Sequence, residues 1–102
     1  MINILISCAG GFSSSLVISK VKKAAQSKGV DVNTWAINCG DIADNIDKAD
    51  ILLIAPQIQY ELPHAQELAK EAGIPCLAVS QTDYGRCNGE HILETVLEAL
   101  DK

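Results

Sequence analysis

Four short apolar runs, separated by amphipathic stretches, dominate the pattern of hydrophobic and polar positions along the chain. Residues 2–7 and 50–55 are almost continuously apolar, as in strands that are buried on both faces of a sheet. Residues 30–37 alternate apolar and polar side chains, which is typical of a half-exposed edge strand. Residues 74–79 contain Pro75, which also favours an edge position. The sequence therefore predicts two central strands and two edge strands.

Apolar residues at helical spacing occupy the segments between and after these strands. The three inward-facing stripes consist of Val17, Val21, Ala24 and Ala25; of Leu62, Ala65, Leu68, Ala69 and Ala72; and of Ile92, Leu93, Val96, Leu97 and Leu100. Gly29 and Gly73 follow the first two stripes and predict where those helices end. A shorter helix is predicted at residues 42–48, and the polar stretch 80–89 is predicted to be a loop.

The alternation of strands and helices predicts an α/β fold. We expect one three-layer domain over residues 1–102, in which a four-stranded parallel sheet carries helices on both faces, like the small tyrosine phosphatases. Right-handed crossovers that bury two strands and leave two at the edges give the strand order 2-1-3-4. In that order the chain reverses direction at the first strand, so ligands are expected beyond its carboxyl end.

The composition narrows the range of functions. The 102 residues are 48% hydrophobic but only 4% aromatic, so the core is expected to be aliphatic. A net charge of −5 argues against nucleic acid as the main partner. The chain shows neither a basic leader nor an apolar run near the roughly 18 residues that span a membrane. These features predict a soluble, cytoplasmic protein that does not insert into the membrane.

The four cysteines are predicted to be reduced thiols rather than metal ligands or disulfides. They are Cys8, Cys39, Cys76 and Cys87, and no two of them form a C-x-x-C pair. His64 and His91 do not add the short ligand spacing of a zinc site. Both histidines follow predicted helix starts and are expected at the surface. The sequence therefore predicts no metal site.

The stretch after the first strand carries the candidate chemistry. It consists of Cys8, Ala9, Gly10, Gly11, Phe12, Ser13, Ser14 and Ser15, and it leads into the first helix. A strand, a glycine-bearing turn and a helix start bring unpaired N–H groups together, and the helix dipole adds positive potential for phosphate. The same setting favours the nucleophilic thiolate of a cysteine. We therefore expect Cys8 to be a nucleophile and residues 9–15 to hold a phosphoryl group.

Other phosphate-binding loops match this stretch less well. It contains neither a Walker A motif nor G-x-G-x-x-G. The C-x-x-x-x-x-R loop of tyrosine phosphatases and arsenate reductases requires arginine where Ser14 stands, so the bidentate clamp for ester hydrolysis is missing. Asp83 offers a counterpart of the phosphatase acid. A cysteine-loop phosphatase or arsenate-reductase-like enzyme stays an alternative. A flavodoxin-like phosphate or FMN-binding module is another alternative, although the chain has few aromatic residues to enclose a flavin ring.

Three motifs of the chain resemble the IIB component of the bacterial phosphoenolpyruvate-dependent sugar phosphotransferase system, lactose/cellobiose/chitobiose class. They are ILISCAGGFSSSL at residues 4–16, APQIQYELP at residues 55–63 and DYGRCNG at residues 83–89. Phe12 stands where a methionine is often expected. The resemblance covers essentially the whole chain.

This resemblance implies a specific activity and specific partners. Cys8 would accept phosphate from a phosphohistidine of the IIA component. It would then donate that phosphate to a sugar bound by the membrane-embedded IIC component. The sugar would be a β-linked disaccharide such as cellobiose, chitobiose or lactose, and the covalent phosphate would be the only added group.

Two further sets of residues complete the predicted site. The second and third motifs follow strands 3 and 4, and they supply the candidate wall residues Pro56, Gln57, Gln59, Tyr84 and Arg86. The first 30 residues contain no acid, and their lysines are Lys20, Lys22, Lys23 and Lys28. We expect this basic side to steer acidic or phosphorylated partners toward the loop.

Overall fold

The sheet matches the predicted topology. The computed structural model describes residues 1–8, 12–86 and 88–100, and of residues 8, 12–15 and 39 the backbone alone. Within these residues, four parallel strands lie in the order β2-β1-β3-β4. They are β1 at Ile2–Cys8, β2 at Val32–Asn38, β3 at Ile51–Ile54 and β4 at Cys76–Ala78. The predicted α/β fold and its strand order are confirmed.

The two central strands are buried on both faces, as their continuous apolar runs predicted. Leu5 of β1 lies between Trp35 of β2 and Leu52 of β3 in the strand register. Leu5 and Leu52 are each 0% exposed. Removing such aliphatic side chains from water is the main stabilising contribution to a domain with so few aromatic residues.

Helices cover both faces of the sheet. Within the described residues the α-helices are α1 at Phe12–Lys28, α2 at Ile42–Asn45, α3 at Leu62–Ala72, α4 at Gln81–Gly85 and α5 at Gly89–Ala99. Short 3-10 turns occur at Cys39–Asp41, Ile46–Lys48 and Pro56–Glu61. Helix α1 packs against α5, and α3 packs beside α2. Right-handed crossovers in this strand order place the two pairs on opposite faces.

Two glycines end α1 and α3, the helices that precede the edge strands. Gly29 and Gly73 have φ angles of 70° and 76°, which a residue without a Cβ adopts at little cost. The next N–H groups donate back into each helix, from Val30 to the carbonyl of Ala25 at 2.9 Å and from Ile74 to that of Ala69 at 3.0 Å. Because these N–H groups complete helix caps, β2 and β4 begin two residues later than predicted.

The predicted loop at residues 80–89 is wrong in part, because it contains α4 and the start of α5. The Ser80 hydroxyl caps α4 by accepting from the Asp83 N–H at 3.1 Å, and the Asn88 side chain caps α5 by accepting from the His91 N–H at 3.2 Å. A helix of five residues is too short to show apolar periodicity, so only its serine cap marked it in the sequence.

The apolar faces of the helices are largely as predicted, with one exception. Of the five residues predicted for the apolar face of α5, Ile92, Leu93 and Val96 are buried, and Leu97 and Leu100 are half-buried. In α3, Ala65 and Ala69 are buried, but Ala72 is exposed. Ala72 lies in the last turn of α3, past the buried positions that cover the sheet.

The backbones of α1 and α5 approach each other closely at Gly89. A Cβ atom added to Gly89 would lie 2.3 Å from the carbonyl carbon of Lys20 and 2.6 Å from the nitrogen of Val21. The neighbouring atoms belong to a helix backbone, which cannot move aside as a flexible side chain does. Gly89 therefore fixes the start of α5 against the middle of α1.

We predict that Gly89→Ala lowers the free energy of unfolding by about 1–3 kcal/mol or more, because the added methyl group overlaps the α1 backbone. Gly85→Ala is the matched control, since no atom lies within 4 Å of a Cβ built there. Urea denaturation of the two variants measures the difference. Equal stability of the two variants would contradict the close contact.

Candidate functional site

Three chain segments leave the sheet side by side at its carboxyl edge. Strands β1, β3 and β4 are neighbours and parallel, so Cys8, Ile54 and Ala78 all end at this edge. The Ala55 N–H donates to the Ser7 carbonyl at 2.9 Å, and the Val79 N–H donates to the Ile54 carbonyl at 2.9 Å. The residues that follow β3 therefore emerge directly beside the end of β1, and the residues that follow β4 emerge beside the end of β3.

Cys8 is the last residue of β1, and α1 begins at Phe12. These are the strand end and the helix start on which the phosphate-loop prediction depends. The first turn of α1 contains no acidic residue, so its positive dipole end is not neutralised there. Ala9, Gly10 and Gly11 lie outside the described residues, as do the side chains of Cys8 and of residues 12–15. Their contacts with phosphate stay predictions.

The hydroxyl of Ser7 is a buried polar group that sequence analysis did not single out. Ser7 is 0% exposed, and within the described part of the chain its Oγ has no hydrogen-bond partner. Burying an unpaired hydroxyl costs about 1–3 kcal/mol. The signal in the sequence was a serine between the apolar residues 4–6 and Cys8.

Four of the five candidate wall residues line one cleft of about 440 Å³, which we call the amide cleft. Its residues are Pro56, Gln57, Gln59, Ala78, Val79, Ser80, Gln81, Tyr84 and Gly85. Gln57 and Gln59 are exposed, whereas Tyr84 is only 3% exposed. None of these lining residues is charged. The cleft offers amide and hydroxyl groups beside the end of β1.

The burial of Ile58 leaves its two neighbours, Gln57 and Gln59, exposed. Pro56 starts a 3-10 turn, and the Ile58 N–H donates to the Ala55 carbonyl at 3.1 Å. Ile58 is 0% exposed and packs in the core, which leaves Gln57 and Gln59 on either side of it exposed. The alternation of apolar and amide residues in this segment therefore sets the lining of the amide cleft.

Arg86 lies away from the other candidate wall residues. Helix α4 ends at Gly85, and Arg86 lines a second groove together with Lys20 and Lys23 of α1. Arg86 is not among the residues that line the amide cleft. Arg86 was predicted as a wall residue because it lies two positions after Tyr84 in the sequence. In the structure it lines the groove beside α1, and its contact with a partner stays a prediction.

Asp83 is paired with a histidine. The Asp83 Oδ2 lies 2.5 Å from the His91 Nδ1. The hydrogen bond to Asp83 and the charge of this carboxylate raise the pKa of His91 above its usual value, and the charges of Glu94 and Glu98 act in the same direction. Partial loss of water around the imidazole acts in the opposite direction on this pKa. The proposed counterpart of a phosphatase acid therefore joins α4 to α5, while the His91 side chain is exposed as predicted.

Cys76 has the environment of an unreactive thiol. It lies on β4 and is half-buried, and burial raises the pKa of its thiol to about 11. The thiolate is therefore scarce at neutral pH. Cys87 and the side chain of Cys39 lie outside the described residues.

Within residues 1–8, 12–86 and 88–100, no three His, Cys, Asp or Glu side chains come together as a set of metal ligands. No helix in these ranges is both long enough and apolar enough to span a bilayer.

A family model and individual relatives of this chain agree on one protein family. Residues 3–95 match the family model described as "PTS system, Lactose/Cellobiose specific IIB subunit". The chain is 35% identical over 96 residues to the cellobiose-specific EIIB component of Lactococcus lactis, covering 88% of each chain. It is 31% identical over 100 residues to the oligo-beta-mannoside-specific EIIB component of Bacillus subtilis, covering 98% of this chain and 97% of that protein.

A solved structure and a longer relative extend the comparison. The lactose-specific IIB domain of Streptococcus pneumoniae superposes with a TM-score of 0.86 at 23% identity, over 96% of each chain, which shows a shared fold. The chain also matches the lactose-specific EIICB component of Streptococcus mutans, 30% identical over 91 residues. That match covers 81% of this chain and 16% of the longer protein.

We predict that Asp83→Asn lowers the pKa of His91 toward its usual value, because the asparagine side chain carries no negative charge to stabilise the protonated imidazole. In the native chain the raised pKa makes the pair stabilising at low pH, and this contribution is lost as the pH rises through the pKa of His91. Titration of the imidazole resonances by NMR measures the shift. Glu98→Gln is the control with a smaller expected change, and an unaltered titration in Asp83→Asn would refute the pairing.

We predict that the Cys76 thiol of the folded chain is alkylated about 100-fold more slowly than an ordinary thiol at pH 8, because burial suppresses its thiolate. A variant in which Cys8, Cys39 and Cys87 are replaced by serine isolates this thiol. Iodoacetamide labelling with and without urea measures the ratio of rates. Equal rates in the folded and unfolded chain would contradict the buried environment.

Proposed function

The chain belongs to the lactose/cellobiose-specific IIB family of the phosphotransferase system, and from this membership we propose that Cys8 is the residue that carries the phosphate. IIB components of this system act as phosphotransferases in sugar uptake. The observation that carries the proposal is the position of Cys8, which ends a central strand four positions before α1 begins. The proposed activity is that of a protein-phosphohistidine–sugar phosphotransferase.

The proposed reaction consists of two transfers of one phosphoryl group. In the first, the Cys8 thiolate attacks the phosphorus of a phosphohistidine on IIA. The S–P bond forms, the P–N bond breaks, and the released imidazole takes up a proton. In the second, a sugar hydroxyl held by IIC attacks the phosphocysteine. The S–P bond breaks, the hydroxyl loses its proton, and the Cys8 thiolate is regenerated.

The loop after Cys8 is proposed to hold the phosphoryl oxygens in both steps. The backbone N–H groups of residues 9–15 and the hydroxyls of Ser13, Ser14 and Ser15 supply neutral donors. Ser14 stands where a hydrolytic loop has arginine. Neutral donors stabilise the phosphocysteine less than a bidentate guanidinium does, so the group passes on readily. No cofactor is needed besides the covalent phosphate.

The amide cleft is proposed to border the surface on which the partners approach Cys8. Its glutamine side chains both donate and accept hydrogen bonds, and an uncharged lining does not repel an anionic phosphoryl group. Gln57 and Gln59 are the exposed members next to the end of β3. We assign these two residues to partner contact rather than to the chemical step.

The proposed partners are a IIA donor and a membrane IIC component with bound sugar. The Streptococcus mutans relative joins IIC and IIB in one protein by its name, which supports transfer onto a sugar held by IIC. Relatives of comparable identity are named for cellobiose and for oligo-beta-mannosides, so a β-linked sugar is the proposed class. We place the reaction at the cytoplasmic side of the membrane.

We predict that incubation with phosphoenolpyruvate, the general phosphotransferase proteins and a IIA component adds one phosphate to the chain. Cys8→Ser should abolish the addition, because serine lacks a nucleophile of comparable strength at neutral pH. Intact-mass spectrometry measures the gain, and Cys76→Ser is the matched control that should retain it.

Two outcomes would overturn the assignment. Phosphate on His64 or His91 in place of Cys8 would make the chain a histidine carrier. Release of phosphate from an aryl phosphate by the isolated chain, lost in Cys8→Ser, would instead support the phosphatase alternative.

A further inference from the structure

A groove separate from the amide cleft concentrates positive charge in an acidic protein. It has a volume of about 760 Å³ and lies between α1 and the start of α5. We call it the basic groove, and its residues are Lys20, Lys23, Ala24, Gln26, Ser27, Arg86, Asn88, Gly89 and Glu90. Three of the eight cationic residues of the chain therefore line this one surface, against a single acid among its lining residues.

The four lysines of α1 have different surroundings in the structure. Lys20 and Lys23 are three residues apart, share one face of α1 and line the basic groove. Lys22 is exposed but is not among the groove residues. The Lys28 Nζ lies 3.7 Å from the Glu94 Oε1 on α5, so these two side chains form an ion pair. The positive surface is therefore narrower than the basic side that the sequence predicted, and it gains Arg86.

The walls of the basic groove are held in a fixed position. Gly89 lies against the backbone of Lys20, so the start of α5 is already at its closest approach to α1. Glu90 in the first turn of α5 offsets the positive end of that helix, so the positive potential of the groove comes from Lys20, Lys23 and Arg86. Lys20, Lys23 and Arg86 are exposed, so their charges are available to a partner.

We propose that the basic groove is the docking surface for an acidic segment of the protein that donates phosphate to Cys8, an inference that rests on the proposed function. Lys20 lies eight residues into α1, which places it about 12 Å along the helix from Phe12. A standard interface of about 800 Å² per partner is roughly 30 Å across. A donor protein that covers the end of β1 therefore also covers the near end of the groove.

The direction of transfer favours the donor over the acceptor as the occupant. The donor arrives with an anionic phosphoryl group, whereas the acceptor offers a neutral sugar hydroxyl. After the first transfer, the donor has lost negative charge and Cys8 has gained it. The attraction between donor and groove therefore weakens once the phosphate has moved, and the donor dissociates more readily.

The open shape of the groove favours a protein segment over a small anion. Its cations are exposed to water, where a single ion is strongly screened and gains little from each of them. An acidic segment that spans the spacing from Lys20 to Arg86 presents several carboxylates at once. Their combined potential acts mainly on the rate of association.

The test compares single charge reversals on one helix by the rate at which the donor loads Cys8 with phosphate. At about 20 mM salt, Lys20→Glu and Lys23→Glu should each slow loading by about three- to tenfold, and raising the salt to about 200 mM should largely remove the difference. Lys22→Glu is the matched control, with the same charge change next to the groove positions and an expected effect under about twofold. Glu90→Gln should act with the opposite sign and speed loading by about twofold.

Three kinetic results would overturn the proposal. Equal slowing by Lys22→Glu would show that only net charge matters. Loading by the Lys20→Glu variant at the native rate would show that the groove is not used. Slower transfer from phosphorylated Cys8 to the sugar, with normal loading, would assign the groove to the acceptor protein.

A binding measurement decides the question even if Cys8 takes no phosphate. A hexaglutamate peptide titrated into the isotopically labelled chain should shift the backbone resonances of Lys20, Lys23 and Asn88 more than those of Lys22, and Lys20→Glu should suppress these shifts. Phosphate-free Cys8 with intact peptide binding would refute the proposed function alone. Uniform or missing shifts would refute the groove alone.

Discussion

The parallel pairing of β1 with both of its neighbours is the constraint on which the remaining structure depends. β1 pairs with β2 along its whole length and with β3 from Ile4 to Ser7, so its aliphatic side chains are removed from water on both faces. The same pairing requires β1, β3 and β4 to end at one edge. The hydrophobic effect in the core thus brings Cys8, the segment after Ile54 and the segment after Ala78 together.

The two surfaces described above, the amide cleft and the basic groove, differ in charge. The amide cleft after β3 and β4 is uncharged, whereas the basic groove between α1 and α5 carries Lys20, Lys23 and Arg86. In the proposed reaction, the uncharged surface leaves the phosphoryl oxygens to the loop amides. The positive surface farther along α1 is the one proposed to attract the donor protein. Separate surfaces can therefore serve recognition and chemistry.

The sequence predicted the strands, their order and the position of Cys8 because each depends on a strong local pattern. Continuous apolar runs marked β1 and β3, and glycine marked the ends of α1 and α3. The sequence did not reveal α4, because five residues carry no periodicity. It grouped Arg86 with Tyr84 because the two are close in the sequence. The sequence does not show that these two side chains line different grooves. The division of the lysines between groove, solvent and Glu94 required helix-to-helix geometry, which only the folded chain provides.

The contact at Gly89 has a consequence for how a chain of this kind diversifies. The backbone approach to Lys20 excludes every side chain at position 89, whereas the charged groups around it point into solvent. Substitutions at Lys20, Lys23, Arg86 and Glu90 therefore change the surface without disturbing the helix pair beneath it. Because the helix contact at Gly89 does not depend on these exposed side chains, the charge of the groove can change while the fold stays the same.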